Sequence, residues 1–162
     1  MAEEKKTGKK LYEVSQEKIN DIDAEISELK PIIGSNKSLT ATYFCILIGG
    51  NLVIALWSNF DFQELKNVPS IIAACLTAIT IGFAAFKPWK KYINAKSTKN
   101  SLVSIKKQYK NKHGAFDAIE DSIEASILCS KLVDNIMDTY QMSDTKDEED
   151  NFKDTQNQLV GK

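Results

Sequence analysis

The chain has 162 residues, and its 21 basic residues nearly balance its 22 acidic ones, leaving a net charge of −1. Every basic residue is a lysine, so the planar guanidinium fork that favours phosphate recognition is missing, which argues against a nucleotide or nucleic-acid site. These averages would suit an ordinary soluble domain, but they hide a segregation of apolar and charged residues along the chain.

The segment before the first apolar stretch divides into a short lead and an amphipathic part. Residues 1–10 are rich in lysine and lack apolar periodicity, so they are predicted to be disordered. From residue 11 to 33, apolar residues recur at alternating spacings of three and four, which predicts an amphipathic cytoplasmic helix of the heptad type. Its candidate oligomerisation residues are Ile19, Ile22, Ile26 and Leu29. Pro31 and the Gly-Ser-Asn sequence at 34–36 then predict a turn.

Two uncharged apolar stretches, residues 39–57 and 68–86, dominate the centre of the chain. A helix rises about 1.5 Å per residue, so each stretch would cover roughly 28 Å, close to the ~30 Å hydrocarbon thickness of a bilayer. They are therefore predicted to form a transmembrane helical hairpin. The alternative, a pair of buried soluble helices, would need a larger globule than the remaining, mostly charged residues can provide.

The distribution of lysines predicts the orientation of this hairpin. The outer loop, residues 58–67, holds only Lys66, whereas lysines cluster before the first stretch and after the second. Positively charged residues concentrate on the cytoplasmic side, so both termini are predicted to be cytoplasmic. Trp57 at the outer boundary and Trp89 at the inner one suit aromatic anchors.

Residues 87–141 are predicted to form further cytoplasmic helices. Lys87-Pro88 permits a kink at the membrane exit, but the helix is expected to continue beyond it. Gly114, preceded by cationic residues, predicts the end of that helix, and another helix is predicted to start around Phe116. The candidate oligomerisation residues of the first of these helices are Leu102, Ile105 and Tyr109. Residues 142–162 are predicted to be an acidic disordered tail.

Residues that could carry chemistry are few. The single histidine, His113, lies at a predicted helix end, so no set of nucleophile, base and orienting group can be assembled around it. No Cys and His spacing resembles a metal site, and Gly49-Gly50 lies inside a span rather than in a phosphate-binding loop. The three cysteines do not suggest a disulfide framework. The chain is therefore predicted not to be an enzyme and to bind no cofactor or metal.

Small and weakly polar residues recur at helical spacing within both spans, where lipid gives helices no hydrophobic reason to associate. The predicted helix-packing residues are Ala41, Cys45, Gly49, Ala74, Ala78 and Gly82. Asn51, the most polar side chain of either span, is expected to face protein or water. With Ser70, Thr77 and Thr80 it is a candidate for interhelical hydrogen bonding or for lining a wet passage. Two helices are too thin to enclose a pore, so a passage would require several copies.

This arrangement resembles the SLATT domains, two-span membrane modules that act as effectors beside bacterial conflict and nucleotide-second-messenger systems. The resemblance covers about residues 11–141 and rests on the amphipathic helix, the tight hairpin, a terminal helix and the exit sequence FKPWKKYINAKSTKNSLVSIKKQYK. The resemblance is one of layout. The basic residues of this exit sequence are all lysines, whereas an arginine-rich exit is expected of the family. It implies a pore-forming or membrane-disrupting effector, silent until an infection signal arrives, with a separately encoded sensor or signal-producing protein as its partner.

The sequence thus predicts an all-α membrane protein, a two-helix transmembrane hairpin flanked by amphipathic coiled-coil helices, that assembles into homo-oligomers in the lipid bilayer. Its predicted function is an oligomeric pore in anti-phage defence through abortive infection. The main alternative is a non-conducting membrane anchor whose cytoplasmic coiled coil binds a partner protein, and a holin-like lysis protein is the third. The outer loop carries neither the Gly-Met-Asn signature nor the acidic filter of the known two-span divalent-cation channels.

Overall fold

The computed structural model describes residues 12–57 and 67–160, with side chains described as far as residue 146. These residues fold into helices, and no strand occurs among them. The elements are α1 (Gln16–Trp57), α2 (Val68–Phe86), α3 (Pro88–Asn111), a 3₁₀ turn (Gly114–Phe116) and α4 (Ser122–Val160). The predicted all-α class is confirmed. The predictions for the lead, 1–10, and for outer-loop residues 58–66 lie outside the described residues.

Two segments of the described chain are long and apolar enough to cross a membrane, one within α1 and one beginning at Val68. They contain the two predicted spans. In each, only 6% of the most apolar window is buried inside the protein. A core helix of a soluble protein would be mostly buried, so this exposure argues against the alternative of a buried soluble helix pair.

The chain divides into two compact units. The helical unit comprises residues 12–30 and Ala95–Met142 of the described chain, and the membrane unit comprises Pro31–Asn94 and the chain from Ser143 onward. Because α1, α3 and α4 each run from one unit into the other, both units are built from parts of the same long helices.

The core of the helical unit is built by three helices of one chain. The heptad stripe of α1 is buried here, and α3 and α4 supply apolar faces of their own. Buried side chains of this unit include Ile19, Ile22, Ile26, Leu29, Ala95, Leu102, Tyr109, Ala125 and Cys129, while Ile105 is half-buried. The structure therefore gives most of the predicted oligomerisation residues buried positions within their own chain, and their predicted role as contacts between copies stays a prediction. Three amphipathic helices in one chain can bury their apolar stripes together without a second molecule.

An aromatic cluster closes one end of this core. Tyr12, Tyr109 and Phe116 are fully buried, and the rings of Tyr12 and Tyr109 stack with their centroids 5.6 Å apart. The hydroxyl of Tyr12 donates a hydrogen bond of 2.6 Å to the carbonyl of Tyr109. The backbone N–H of Ser15 donates to the hydroxyl of Tyr109 at 3.0 Å. The start of the described chain is thus fixed to the end of α3.

The connection from α3 to α4 corrects two details of the prediction. α3 ends at Asn111, and the residue that follows it in the left-handed conformation is Lys112, with φ of 56°, whereas Gly114, with φ of 64°, opens the 3₁₀ turn. Phe116 also lies in this turn, and α4 begins only at Ser122. The reason is a helix cap. The carboxylate of Asp121 accepts a hydrogen bond of 2.9 Å from the backbone N–H of Ile123, which fixes the start of α4 there.

The predicted turn before the first span is wrong. α1 continues through Pro31 and through residues 34–36 as one helix. The side chains of Ser35 and Asn36 donate hydrogen bonds to the carbonyl of Ile32, at 3.3 and 2.9 Å. Polar residues that commonly end a helix instead bond back to the helix backbone here and do not interrupt it.

The exit from the second span contains a break that the sequence reasoning does not predict. α2 ends at Phe86, Lys87 adopts a left-handed conformation (φ 43°, ψ 48°), and Pro88 opens α3. The expectation of one continuous helix is therefore corrected. Proline disfavours the right-handed helical conformation for the residue before it, while its own fixed φ suits the first turn of a new helix.

The predicted disordered tail is also corrected, because α4 remains helical to Val160. At the start of this segment Asn94 donates a side-chain hydrogen bond of 2.8 Å to the hydroxyl of Ser143. Lys91 forms an ion pair of 3.4 Å with Asp144. A helix that is already nucleated gains one hydrogen bond for each residue added, so a polar sequence can extend it beyond its packed part.

Candidate functional site: the groove of the membrane hairpin

The contact between α1 and α2 combines large side chains with one glycine, on a seven-residue repeat. On α1 it involves Tyr43, Leu47 and Gly50, and on α2 it involves Leu76 and Phe83. The rings of Tyr43 and Phe83 stack with centroids 3.8 Å apart and an interplanar angle of 10°. Leu76 is buried, and a Cβ added to Gly50 would lie 2.8 Å from both of its terminal methyl carbons. Gly50 therefore permits the close approach of the two helices.

The predicted packing residues do not form this contact. Five of the six are exposed on the outer faces of the helices, namely Ala41, Cys45, Gly49, Ala74 and Ala78. The sixth, Gly82, has open space where a Cβ would be, as Gly49 does. The residues that sequence reasoning missed are Tyr43, Gly50, Leu76 and Phe83. The signal that could have found them is the spacing of four, three and four from Tyr43 through Leu47 and Gly50 to Ile54.

The polar candidates of the two spans lie along one groove beside this contact. It has a volume of about 320 Å³ and is lined by Leu47, Asn51, Ile54, Ala73, Leu76, Thr77, Thr80 and Ile81. The structure thus brings Asn51, Thr77 and Thr80 together. Ser70 is exposed on α2 and does not line the groove.

The two threonines satisfy their donors within their own helix. Thr77 donates to the carbonyl of Ala73 at 2.9 Å, and Thr80 donates to the carbonyl of Leu76 at 2.8 Å. A longer contact of 3.4 Å, from the hydroxyl of Tyr43 to Thr80, joins the two helices. Such bonds to a preceding carbonyl allow threonine to sit in an apolar environment at little cost.

Asn51 is different, because one intrahelical bond cannot satisfy its amide. Its Nδ2 donates to the carbonyl of Leu47 at 2.8 Å, the one hydrogen bond that it makes among the described residues. A carboxamide has two N–H donors and a carbonyl with two lone pairs. The side chain is exposed, so its carbonyl and second N–H are accessible to groups beside the hairpin. Partners for these groups have to come from outside the described chain.

Other groups with reactive potential give no second site. Among the described residues, no cluster of His, Cys, Asp or Glu could hold a metal ion. Burial raises the pKa of the Cys129 thiol to about 11, so at neutral pH it is protonated and a poor nucleophile. His113 is exposed just before the 3₁₀ turn. The groove is therefore the candidate functional site of the described residues.

The fold and this groove together define a class of protein: an all-α chain with two helices able to span a membrane and, along them, a mostly apolar groove that holds three polar side chains. No family profile, curated protein or solved structure matches the chain.

Proposed function

We propose that this protein is an oligomeric membrane effector whose copies assemble with their grooves facing a common centre and open the membrane. The observation that carries the proposal is the exposed amide of Asn51 in a segment apolar enough to span a bilayer. A buried polar group without a hydrogen-bond partner is costly, and polar side chains within membranes face protein or water. A water-filled centre would hydrate the amide.

The burial of the heptad stripes within one chain also supports assembly through the hairpins. Because Ile22 and Leu102 are buried in the helical unit, contacts between copies have to use surfaces that remain exposed. The outer faces with Ala41, Cys45 and Ala74 are such surfaces, and small residues there would let neighbouring hairpins approach closely. A ring of copies could then enclose a centre lined by Asn51. A single hairpin is too thin to enclose one.

The resemblance in layout to SLATT domains supports a role in anti-phage defence. In this proposal the protein lies in the inner membrane with both termini cytoplasmic and stays silent until a separately encoded sensor or signal-producing protein activates it. Opening the membrane would then kill the infected cell. The lysine-rich segment after α2 supports this orientation.

A second candidate, a non-conducting membrane anchor, is favoured by a surface on the helical unit. Ile123 and Ile127 are 69% and 50% exposed, and they line a groove of about 480 Å³ together with Lys18 and Lys131. An apolar strip between lysines suits a protein partner with apolar and acidic residues. In this alternative the hairpin holds the helical unit at the membrane and conducts nothing.

Membrane potential separates the two candidates. Overproduced protein should depolarise bacterial cells, and an Asn51→Leu variant should insert and assemble normally but depolarise them far less, because an apolar constriction dewets. Asn51→Gln, which keeps the amide, is the matched control and should behave like the parent. If the parent inserts and oligomerises yet leaves the potential unchanged, the anchor replaces the pore.

A further inference from the structure

The first turn of α3 combines lysines and an aromatic side chain directly after the second span. Phe86, the last residue of α2, is 76% exposed, and Trp89 is 54% exposed with its ring 5.5 Å from that of Tyr92. Lys87, Lys90 and Lys91 lie in the same stretch, and no carboxylate occurs between residues 87 and 112. Tryptophan and lysine at the end of an apolar span are typical of the headgroup region of a bilayer.

The backbone holds these lysines on one ordered turn. Lys87 is in the left-handed conformation, and its carbonyl accepts hydrogen bonds from the backbone N–H groups of Lys90 and Lys91, at 3.0 and 3.2 Å. The break between α2 and α3 is therefore compact. It places the basic turn immediately next to the apolar span.

An acidic segment of the same unit contacts this turn. Lys91 pairs with Asp144 at 3.4 Å, and Asn94 bonds Ser143 one turn further along α3. Beyond Asp144 the sequence continues with the acidic run of residues 147–150. The side chains of Lys91 and Asp144 are 28% and 40% exposed, so water and salt screen the pair and another anion can displace the carboxylate.

We propose that the first turn of α3 binds the phosphates of anionic phospholipids, and that the acidic segment of α4 beginning at Asp144 competes for the same lysines. Lipid charge then decides whether this part of α4 stays against α3 or is released. Phosphatidylglycerol supplies the required chemistry, a phosphodiester monoanion at the depth of Lys87 and Trp89. The inference depends on α2 spanning the bilayer but not on pore formation, so a non-conducting protein would test it equally well.

Lysine footprinting on the full chain in nanodiscs tests this proposal. The rate at which an amine-reactive reagent modifies each lysine is measured as phosphatidylglycerol replaces phosphatidylcholine. We expect modification of Lys90 and Lys91 to slow by about fivefold, the factor that corresponds to one lysine near an anionic surface. Lys106, which pairs with Asp23 in the helical unit, is the internal control and should not change.

Two variants test the competition. Asp144→Asn should lower the fraction of phosphatidylglycerol needed for half-maximal protection, while Asp138→Asn, which removes the same charge earlier on α4, should leave it unchanged. An unaltered midpoint in Asp144→Asn overturns the competition. Equal modification in both lipids overturns headgroup binding, as does equal protection by soluble glycerol phosphate added to phosphatidylcholine discs.

Discussion

Gly50 and Leu76 meet so closely in the membrane hairpin that a Cβ at residue 50 would lie 2.8 Å from two carbons of the leucine. Gly49, its neighbour in sequence, has open space around it. The two adjacent glycines therefore differ in function: Gly50 determines how near α1 and α2 can come, and Gly49 does not.

This difference predicts opposite outcomes for two similar variants. Gly50→Val should weaken the hairpin by about 1–3 kcal/mol, the usual cost of overpacking, while Gly49→Val should have little effect within one chain. Adding Leu76→Ala to Gly50→Val should restore part of the loss, because it removes the atoms that clash. Unfolding titrations in mixed micelles measure these free energies, and equal losses for both glycine variants would contradict the observed contact.

The α1 stripe provides a prediction that separates contacts within a chain from contacts between chains. Ile22→Ala should lower the free energy of unfolding of the helical unit by about 2–5 kcal/mol through loss of buried volume. Ile123→Ala, at a position 69% exposed, is the matched control and should change it little. Because the partners of Ile22 belong to the same chain, the loss should not depend on protein concentration. Circular dichroism measures this loss. If the loss depends on protein concentration, the stripe forms a contact between copies.

The buried hydrogen bond from Tyr12 to the carbonyl of Tyr109 predicts a cost for its removal. Tyr12→Phe keeps the stacked ring, and the carbonyl of Tyr109 still accepts a longer bond of 3.4 Å from the backbone N–H of Lys112, so the aromatic cluster should lose about 0.5–1.5 kcal/mol. Hydrogen exchange of the backbone N–H groups around residues 109–126 should speed up accordingly. Unchanged exchange there would mean that the bond contributes nothing to the order of this end of the core.

Burial of Cys129 predicts a dependence of stability on alkaline pH. Its pKa is raised from 9.0 to about 11, chiefly by desolvation, so between these values the folded state holds the proton that the unfolded state has lost. The free energy contributed by this thiol should therefore be constant below pH 9 and decrease as the pH rises from 9 to 11. Cys129→Ala should remove this part of the slope. Identical slopes in the parent and in Cys129→Ala would rule the thiol out as the source.

The groove predicts how conductance depends on Thr77. If it faces a water-filled centre, Thr77→Ser should preserve depolarisation and Thr77→Leu should suppress it by dewetting, both without loss of oligomer. Ala85→Leu, at an exposed position of α2 outside the groove, is the matched control and should leave depolarisation intact. Loss of oligomer in Thr77→Leu, measured by mass photometry, would instead assign the groove to packing between helices.

The sequence by itself determined the features that depend on local chemistry. The lengths of the two uncharged stretches predict the helices α2 and the second half of α1, because apolar side chains and backbone bonds within one segment suit a bilayer whatever surrounds them. The stripe of Ile19, Ile22 and Ile26 likewise predicts that one face of α1 is covered.

What covers each face was decided only by tertiary structure. An apolar stripe has the same pattern whether its partner is another copy or, as for Ile22 here, α3 and α4 of the same chain. The rotation of α1 about its own axis selects Gly50 over Gly49 for contact with Leu76, and that rotation depends on how large side chains such as Tyr43 and Phe83 interlock. Packing of this kind depends on the shapes of both surfaces, so the sequence of one helix does not predict it.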